Sequence, residues 1–118
     1  MLSRAHRLHR PADFTEVVRR GRRASRPLVT VHALLATGAE LGPARAGLVV
    51  SKAVGGSVVR HAVSRRLRHL LRDRVAGLPA GSRVVLRAAA PAGTATSAAL
   101  GADLDLALSS ALRPRVAR

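Results

Sequence analysis

Between Val58 and Arg74 the chain reads "VVRHAVSRRLRHLLRDR", and arginine and aliphatic residues alternate so closely that only a regular winding separates them. Wound as an α-helix at about 100° per residue, Val59, Val63, Leu67 and Leu70 fall within about 80° of arc, with Leu71 and Ala62 at its edges. That stripe is suited to packing on a sheet. On nearly the opposite side His61, Arg65, Arg68, His69 and Arg72 share about 100° of arc, and no acid stands among them. Asp73 lies off to one flank. Arg66 and Arg74 project toward the apolar side and have to snorkel out past their neighbours. A solvated helix face usually mixes signs, so that pairs four residues apart support one another. Here Arg65 with Arg68, and Arg68 with Arg72, are like-charge neighbours that each cost a few tenths of a kcal/mol in isolation, roughly. A helix that accepts this cost repeatedly is built to meet a polyanion.

The whole chain carries the same bias. Its 118 residues contain 21 Lys and Arg against six Asp and Glu, for a net charge of +15. Such a field repels itself unless a polyanion neutralises it, which makes nucleic acid the leading partner and an anionic membrane surface the second. Lys52 is the sole lysine, and arginine's planar fork and flat face suit contact with RNA phosphates and bases. Cysteine is absent, which excludes disulfides and thiolate metal sites. The N-terminal "MLSRAHRLHRPADF" has charge without the apolar stretch of a secretory signal, and "LVTVHALLA" is less than half a membrane span. A soluble cytoplasmic protein is the expectation.

The length suits one domain. Residues 1 to 10 read as a flexible basic arm, and Pro11 opens a first helix, "PADFTEVVRRG", that places Phe14, Val17 and Val18 on one side before Gly21. "RRASRP" reads as a basic turn. "LVTVHALLA" (Leu28 to Ala36) is a strand, Thr37 to Ala46 a turn, and "GLVVSK" (Gly47 to Lys52) a second strand. After the basic helix come a turn, a third strand over Arg83 to Ala90, and a last helix from Ala95 to Leu112 with leucines and Ala107 at spacings of three and four. Residues 113 to 118 are a basic tail. The pattern is αββαβα in one α+β domain.

Little supports catalysis by side chains. The six acids are Asp13, Glu16, Glu40, Asp73, Asp103 and Asp105, and none is spaced as an acid/base pair. His6 and His9 share a helical face without further metal ligands near them. "GLVVSKAVGG" lacks the order of a phosphate-binding loop. Phe14 is the sole aromatic, so a stacking platform for several bases is excluded, and core packing competes for its ring.

The stretch "SKAVGGSVVRHAVSRRLRHLLRD", Ser51 to Asp73, resembles the protein subunit of bacterial ribonuclease P. That family has a Ser-Lys strand end, a short loop and a helix with an Arg-Asn-Arg-x-Lys-Arg signature, followed by aliphatics and a further Arg. Ser51, Lys52, Val54, Gly55, Val58, Arg60, Val63, Arg65, Leu67 and Arg68 match it. "RLHRPADFTEVVRRGRRASRPLVTVHAL" upstream and "GSRVVLRAAAP" downstream extend the likeness, in order, over most of the chain. His61, Ala62 and Ser64 depart from the family's Asn, Arg and Lys. Arg66, one turn beyond Ala62, is a candidate to restore charge there.

The resemblance implies an αβββαβα sandwich with a mixed sheet and a left-handed crossover, similar to a ribosomal protein domain, with one more strand than the pattern alone gives. It implies a monomeric subunit of a ribonucleoprotein that removes the 5′ leader of precursor tRNA, with chemistry carried by the RNA subunit and Mg²⁺ held mainly by RNA. The RNA-binding residues expected from the signature and the cationic ridge together are Lys52, Arg60, His61, Arg65, Arg68 and Arg72, with Arg66 as the candidate replacement cation. A cleft between the first helix and the sheet would receive the leader through Phe14, Val18, His32 and Arg87. Val18 and His32 stand where the family is often aromatic. The rival reading of the same composition is a ribosomal or general RNA-packing protein without a part in an enzyme.

Overall fold

The computed structural model describes residues 3–36 and 42–113. Helix α1 spans Pro11–Arg20, β1 Arg22–Ser25, β2 Val29–Leu34, β3 Arg45–Val49, α2 Ser57–Val75, β4 Arg83–Ala88 and α3 Ser97–Ala111. Short 3-10 turns lie at Arg4–His6, Lys52–Val54 and Ala90–Thr94. The four strands form one sheet in the order β1-β2-β4-β3. Strands β3 and β4, which flank α2 in the chain, pair in parallel, and the other two pairs are antiparallel. The architecture is the αβββαβα mixed sheet that the resemblance implies.

The added strand is β1, in the segment that reads as a basic turn. Its four residues pair with β2 from Arg22↔Ala33 to Ser25↔Thr30. An edge strand presents open backbone to solvent, and arginine there deters pairing with other chains, so the polar content that suggests a turn is also what an edge strand tolerates. Only Ala24 of the four is buried.

Alternation along the strands sorts the sheet's side chains onto two faces. Val31, Ala33, Ala46, Val84 and Leu86 join Val63, Leu67 and Leu71 of α2 and Leu100, Leu104, Ala107, Leu108 and Ala111 of α3 in the main core. A smaller cluster on the other face holds Leu8, Val17 of α1 and Val85, with Phe14, Leu34 and Val49 packed around it. The central strand β4 therefore buries Val84, Val85 and Leu86 in succession, as a strand covered on both sides does. Removing leucines from water contributes about 1.5–3 kcal/mol each, so α2 and α3 supply most of what fixes the sheet.

Three expectations need correction. Residues 3 to 10 are not a free arm: Leu8 is buried, its N–H donates to the Ala46 carbonyl at 3.0 Å, and Arg7 bridges to Ala46 alongside the edge strand β3. One apolar side chain, this backbone bond and a contact between His6 and the Ala44 carbonyl dock the segment, and none leaves a periodic trace. On α2, Val59 stays 37% exposed while Val75 is buried, because the inward row runs Val63, Leu67, Leu71, Val75 at four-residue spacing. Arg66 and Arg74 do not snorkel. Arg74 donates to both Asp105 carboxylate oxygens, at 2.5 and 3.1 Å, and to the Leu70 carbonyl, and Arg66 donates to the Ala95 carbonyl at 3.4 Å. Both tie α2 to the chain at and just before α3. Residues 1–2, 37–41 and 114–118, which take in parts of the expected arm, turn and tail, lie outside the described residues.

Candidate nucleic-acid interface

Helix α2 follows the Gly55–Gly56 loop. Gly55 has φ 151°, and a Cβ there would press on the Val59 side chain at 2.9 Å, so this entry into the helix requires glycine. Beyond it, His61, Arg65, Arg68, His69 and Arg72 are all exposed on one side, and Lys52 is exposed in the turn that leads to the helix. Arg72 and Asp73 approach at 3.7 Å with both side chains more than half exposed, a pair worth about 0–1 kcal/mol. Arg65 and Arg68 pair with no carboxylate among the described residues.

The other described acids are occupied elsewhere. Asp13 and Glu16 of α1 hold Arg83, and Glu16 also holds Arg20. Asp103 accepts from the Leu28 N–H and faces Arg26, and Asp105 clasps Arg74. The hydrogen bond from Arg83 holds the Glu16 carboxyl below its ordinary pKa, and that from Arg74 does the same for Asp105. Carboxylates thus anchor arginines that brace the fold and leave the outer side of α2 cationic.

Two residues expected to bind RNA stand apart from this ridge. Arg66 is half-buried on the side of α2 that meets the turn before α3. Arg60 projects inward, between Leu67 and Leu71 in helical projection, and its buried Nε has no partner. The family signature picks Arg60 by its position in the chain, and Arg66 enters as a replacement for the charge missing at Ala62, whereas packing decides which way they face.

The second surface lies between α1 and the sheet. Val18, Arg23, Thr30, His32, Arg87, Ala88 and Ala89 line a cleft of about 490 Å³. Three of the four expected leader residues, Val18, His32 and Arg87, therefore meet in one place. Phe14 lies one turn before Val18 on the same flank of α1, but lines a separate hollow of about 320 Å³ with Arg7, Leu8, Ala46, Gly47, Leu48 and Arg68. A side chain at Gly47 would collide with the Phe14 ring, so the glycine makes room for the aromatic. Arg68 of the ridge and Phe14 of α1 thus line one hollow, which shares no lining residue with the cleft.

His32 is 5% exposed at the floor of the cleft, and neither ring nitrogen has a hydrogen-bond partner. Burial pushes its pKa below the ordinary histidine value, and the positive charges of Arg87 and Arg23 add to the effect. Its imidazole is neutral at neutral pH. Arg23 and Arg7 are the site residues that sequence reasoning misses: Arg23 needs β1 to exist, and Arg7 needs the N-terminal segment to dock. Among the described residues no three His, Asp or Glu side chains cluster as metal ligands. His6 and His9 each meet a backbone carbonyl instead, of Ala44 and Arg4.

A small α+β domain with a cationic helix ridge and a basic cleft floored by its sheet defines a polyanion-binding protein of the RNA-binding class. Residues 2–112 match the family model described as Ribonuclease P, and the chain belongs to that family of ribonuclease P proteins. It is 58% identical over 114 residues to the ribonuclease P protein component of Streptomyces griseus subsp. griseus, covering 92% of this chain and 93% of that one. With the ribonuclease P protein component of Salinispora tropica it shares 50% identity over 131 residues, covering 98% and 96%. Among solved structures, the Staphylococcus aureus RNase P protein superposes with a TM-score of 0.77 at 22% identity, covering 93% of this chain and 100% of that one. The Thermotoga maritima RNase P protein does so at 0.72 and 19%, covering 89% and 96%. These two likenesses bear on the fold.

Proposed function

We propose that this chain is the protein subunit of a ribonuclease P that matures the 5′ end of tRNA. It docks on the catalytic RNA with Lys52, His61, Arg65, Arg68 and Arg72, and receives the single-stranded 5′ leader of precursor tRNA in the cleft of Val18, His32 and Arg87, with Phe14 at a separate hollow that Arg68 also lines. The observation that carries this reading is the family match over residues 2–112, which takes in both surfaces. It favours this role over that of a general RNA-packing protein.

In this reading the protein neutralises phosphates so that two RNAs can lie close together, and the chemistry belongs to the RNA subunit. Magnesium prefers octahedral oxygen coordination. The described carboxylates do not fit a cage for it, since Asp13, Glu16, Asp73, Asp103 and Asp105 each face an arginine and are spread over the molecule. The ion is therefore assigned to RNA phosphates, and no step is routed through this chain's side chains. The subunit acts as a monomer in the cytoplasm.

Reconstitution with the cognate RNA tests the assignment. The protein is expected to accelerate leader removal at low Mg²⁺ selectively for precursor tRNA. Equal stimulation by an unrelated basic RNA-binding protein would overturn it.

A further inference from the structure

Two of the three residues at the heart of the cleft have an expected role from the family resemblance, and the third, Arg23, has none. The register places them on three adjacent strands. Arg23 of β1 stands directly opposite His32 of β2, and Thr30, two residues before His32 on the same face, stands directly opposite Arg87 of β4. Directly opposed side chains in a sheet have Cβ atoms about 4.5–5.5 Å apart, with diagonal neighbours still within reach of long side chains. All three line the same cleft. Neither Arg23 nor Arg87 pairs with a carboxylate among the described residues, and His32 is buried with both ring nitrogens unpartnered. Buried polar groups without partners are rare and mark places where something else completes them.

We propose that Arg23, His32 and Arg87 clamp one backbone phosphate of the single-stranded leader, with His32 as the central donor; this rests on the assignment of the cleft to the leader. The donor set decides between phosphate and base. Two guanidiniums offer only N–H donors and a neutral imidazole adds one more, a set that suits the acceptor-only oxygens of a phosphate. The cleft holds no Phe, Tyr or Trp to stack a base, and its apolar lining is only Val18, Ala88 and Ala89. Guanidinium forks and a histidine N–H converging without an acid match a phosphodiester's oxygens.

The clamp also couples leader binding to protons. The charged groups that face His32 are Arg23 from β1 and Arg87 from β4, while α1 presents the uncharged Val18. In the free protein these cations and burial disfavour the imidazolium. A phosphate seated between them favours it, so the bound state takes up protons that the free state does not. Leader affinity therefore strengthens as pH falls from mildly alkaline to mildly acidic.

The test uses holoenzyme reconstituted with the cognate RNA and precursor tRNAs in which one leader linkage at a time is an uncharged methylphosphonate, with mature tRNA as reference. One linkage is expected to weaken leader-dependent affinity by about tenfold, the scale of a lost charge-assisted hydrogen bond. Arg23→Ala, an exposed position, should produce a similar loss and make that linkage indifferent to neutralisation. His32→Gln should flatten the pH dependence. A scan flat at every linkage overturns the clamp, as does sensitivity at one linkage that Arg23→Ala leaves intact. Dependence on the identity of one leader base with a flat linkage scan overturns it too, by assigning His32 to a nucleobase. If wild-type holoenzyme binds precursor and mature tRNA alike, the leader assignment itself fails.

Discussion

The Asp105 carboxylate receives two hydrogen bonds from Arg74, which also caps the Leu70 carbonyl, so one guanidinium locks α2 to α3. The pair is only partly shielded, with side-chain exposures of 24% and 60%, and its worth is accordingly about 0.5–1 kcal/mol. Asp105→Asn is expected to lower stability by about that amount in urea unfolding at neutral pH. The sign with pH follows from the lowered Asp105 pKa: the contribution is present above the ordinary aspartate value and is lost as pH falls through the lowered one. The mutant and wild-type stabilities should therefore converge in acid, and a constant difference there would contradict the assignment. At Gly47 the same scale predicts the opposite kind of fault. Alanine would meet the Phe14 ring and the Leu8 side chain at 3.3 Å, so Gly47→Ala should cost about 1–3 kcal/mol of overpacking strain, readable as a lower Tm. Residue-level reading of the sequence treats Arg66 as a replacement cation for the RNA contact, but its bond to Ala95 turns it toward α3. Arg68→Ala is consequently expected to weaken RNA assembly more than Arg66→Ala, and the reverse order in a binding titration would reject the placement of the ridge.

At the scale of elements, α2 is legible from its sequence because a long helix repeats its burial period several times. Val63, Leu67 and Leu71, with the cations opposite them, mark both of its sides in the residue pattern alone. Leu67 is fully buried beneath it, and Leu67→Ala should cost about 2–5 kcal/mol through lost burial and a cavity. If thermal or denaturant unfolding shows less than about 1 kcal/mol, the inward face has been misassigned. Strand β1 shows where such reading stops. Four residues do not complete two cycles of alternation, and an arginine-rich edge strand has the composition of a turn. Its pairing with β2 is a tertiary fact, and Arg23 joins the cleft only through it. The N-terminal segment escapes for a related reason: its docking rests on Leu8, a backbone bond to Ala46 and the contact of His6 with the Ala44 carbonyl, none of which has a period. The family resemblance supplied the extra strand that periodicity could not, and likewise named His32, whose buried place on the cleft floor follows from strand alternation once the register is known.

Across the whole molecule, net charge and its distribution play separate parts. A charge of +15 attracts any polyanion, but specificity of docking depends on where the few acids stand. The described carboxylates are spent on Arg20, Arg26, Arg72, Arg74 and Arg83, and of these only Arg72 belongs to the ridge, through its weak pair with Asp73. The outer side of α2 and the cleft beside α1 therefore keep their cations available to a polyanion, and Arg68 and Phe14 line one further hollow. The most direct test is the salt dependence of affinity for the cognate RNA, compared between the wild type and the triple variant Arg65→Ala, Arg68→Ala, Arg72→Ala. Each phosphate contact contributes about 0.7–0.9 to the slope of log affinity against log salt, so the triple variant should lose about 2 to 3 units of slope along with affinity. Its Tm should stay close to wild type, because all three side chains are exposed. An unchanged slope in a folded triple variant would show that this side of α2 does not bind RNA.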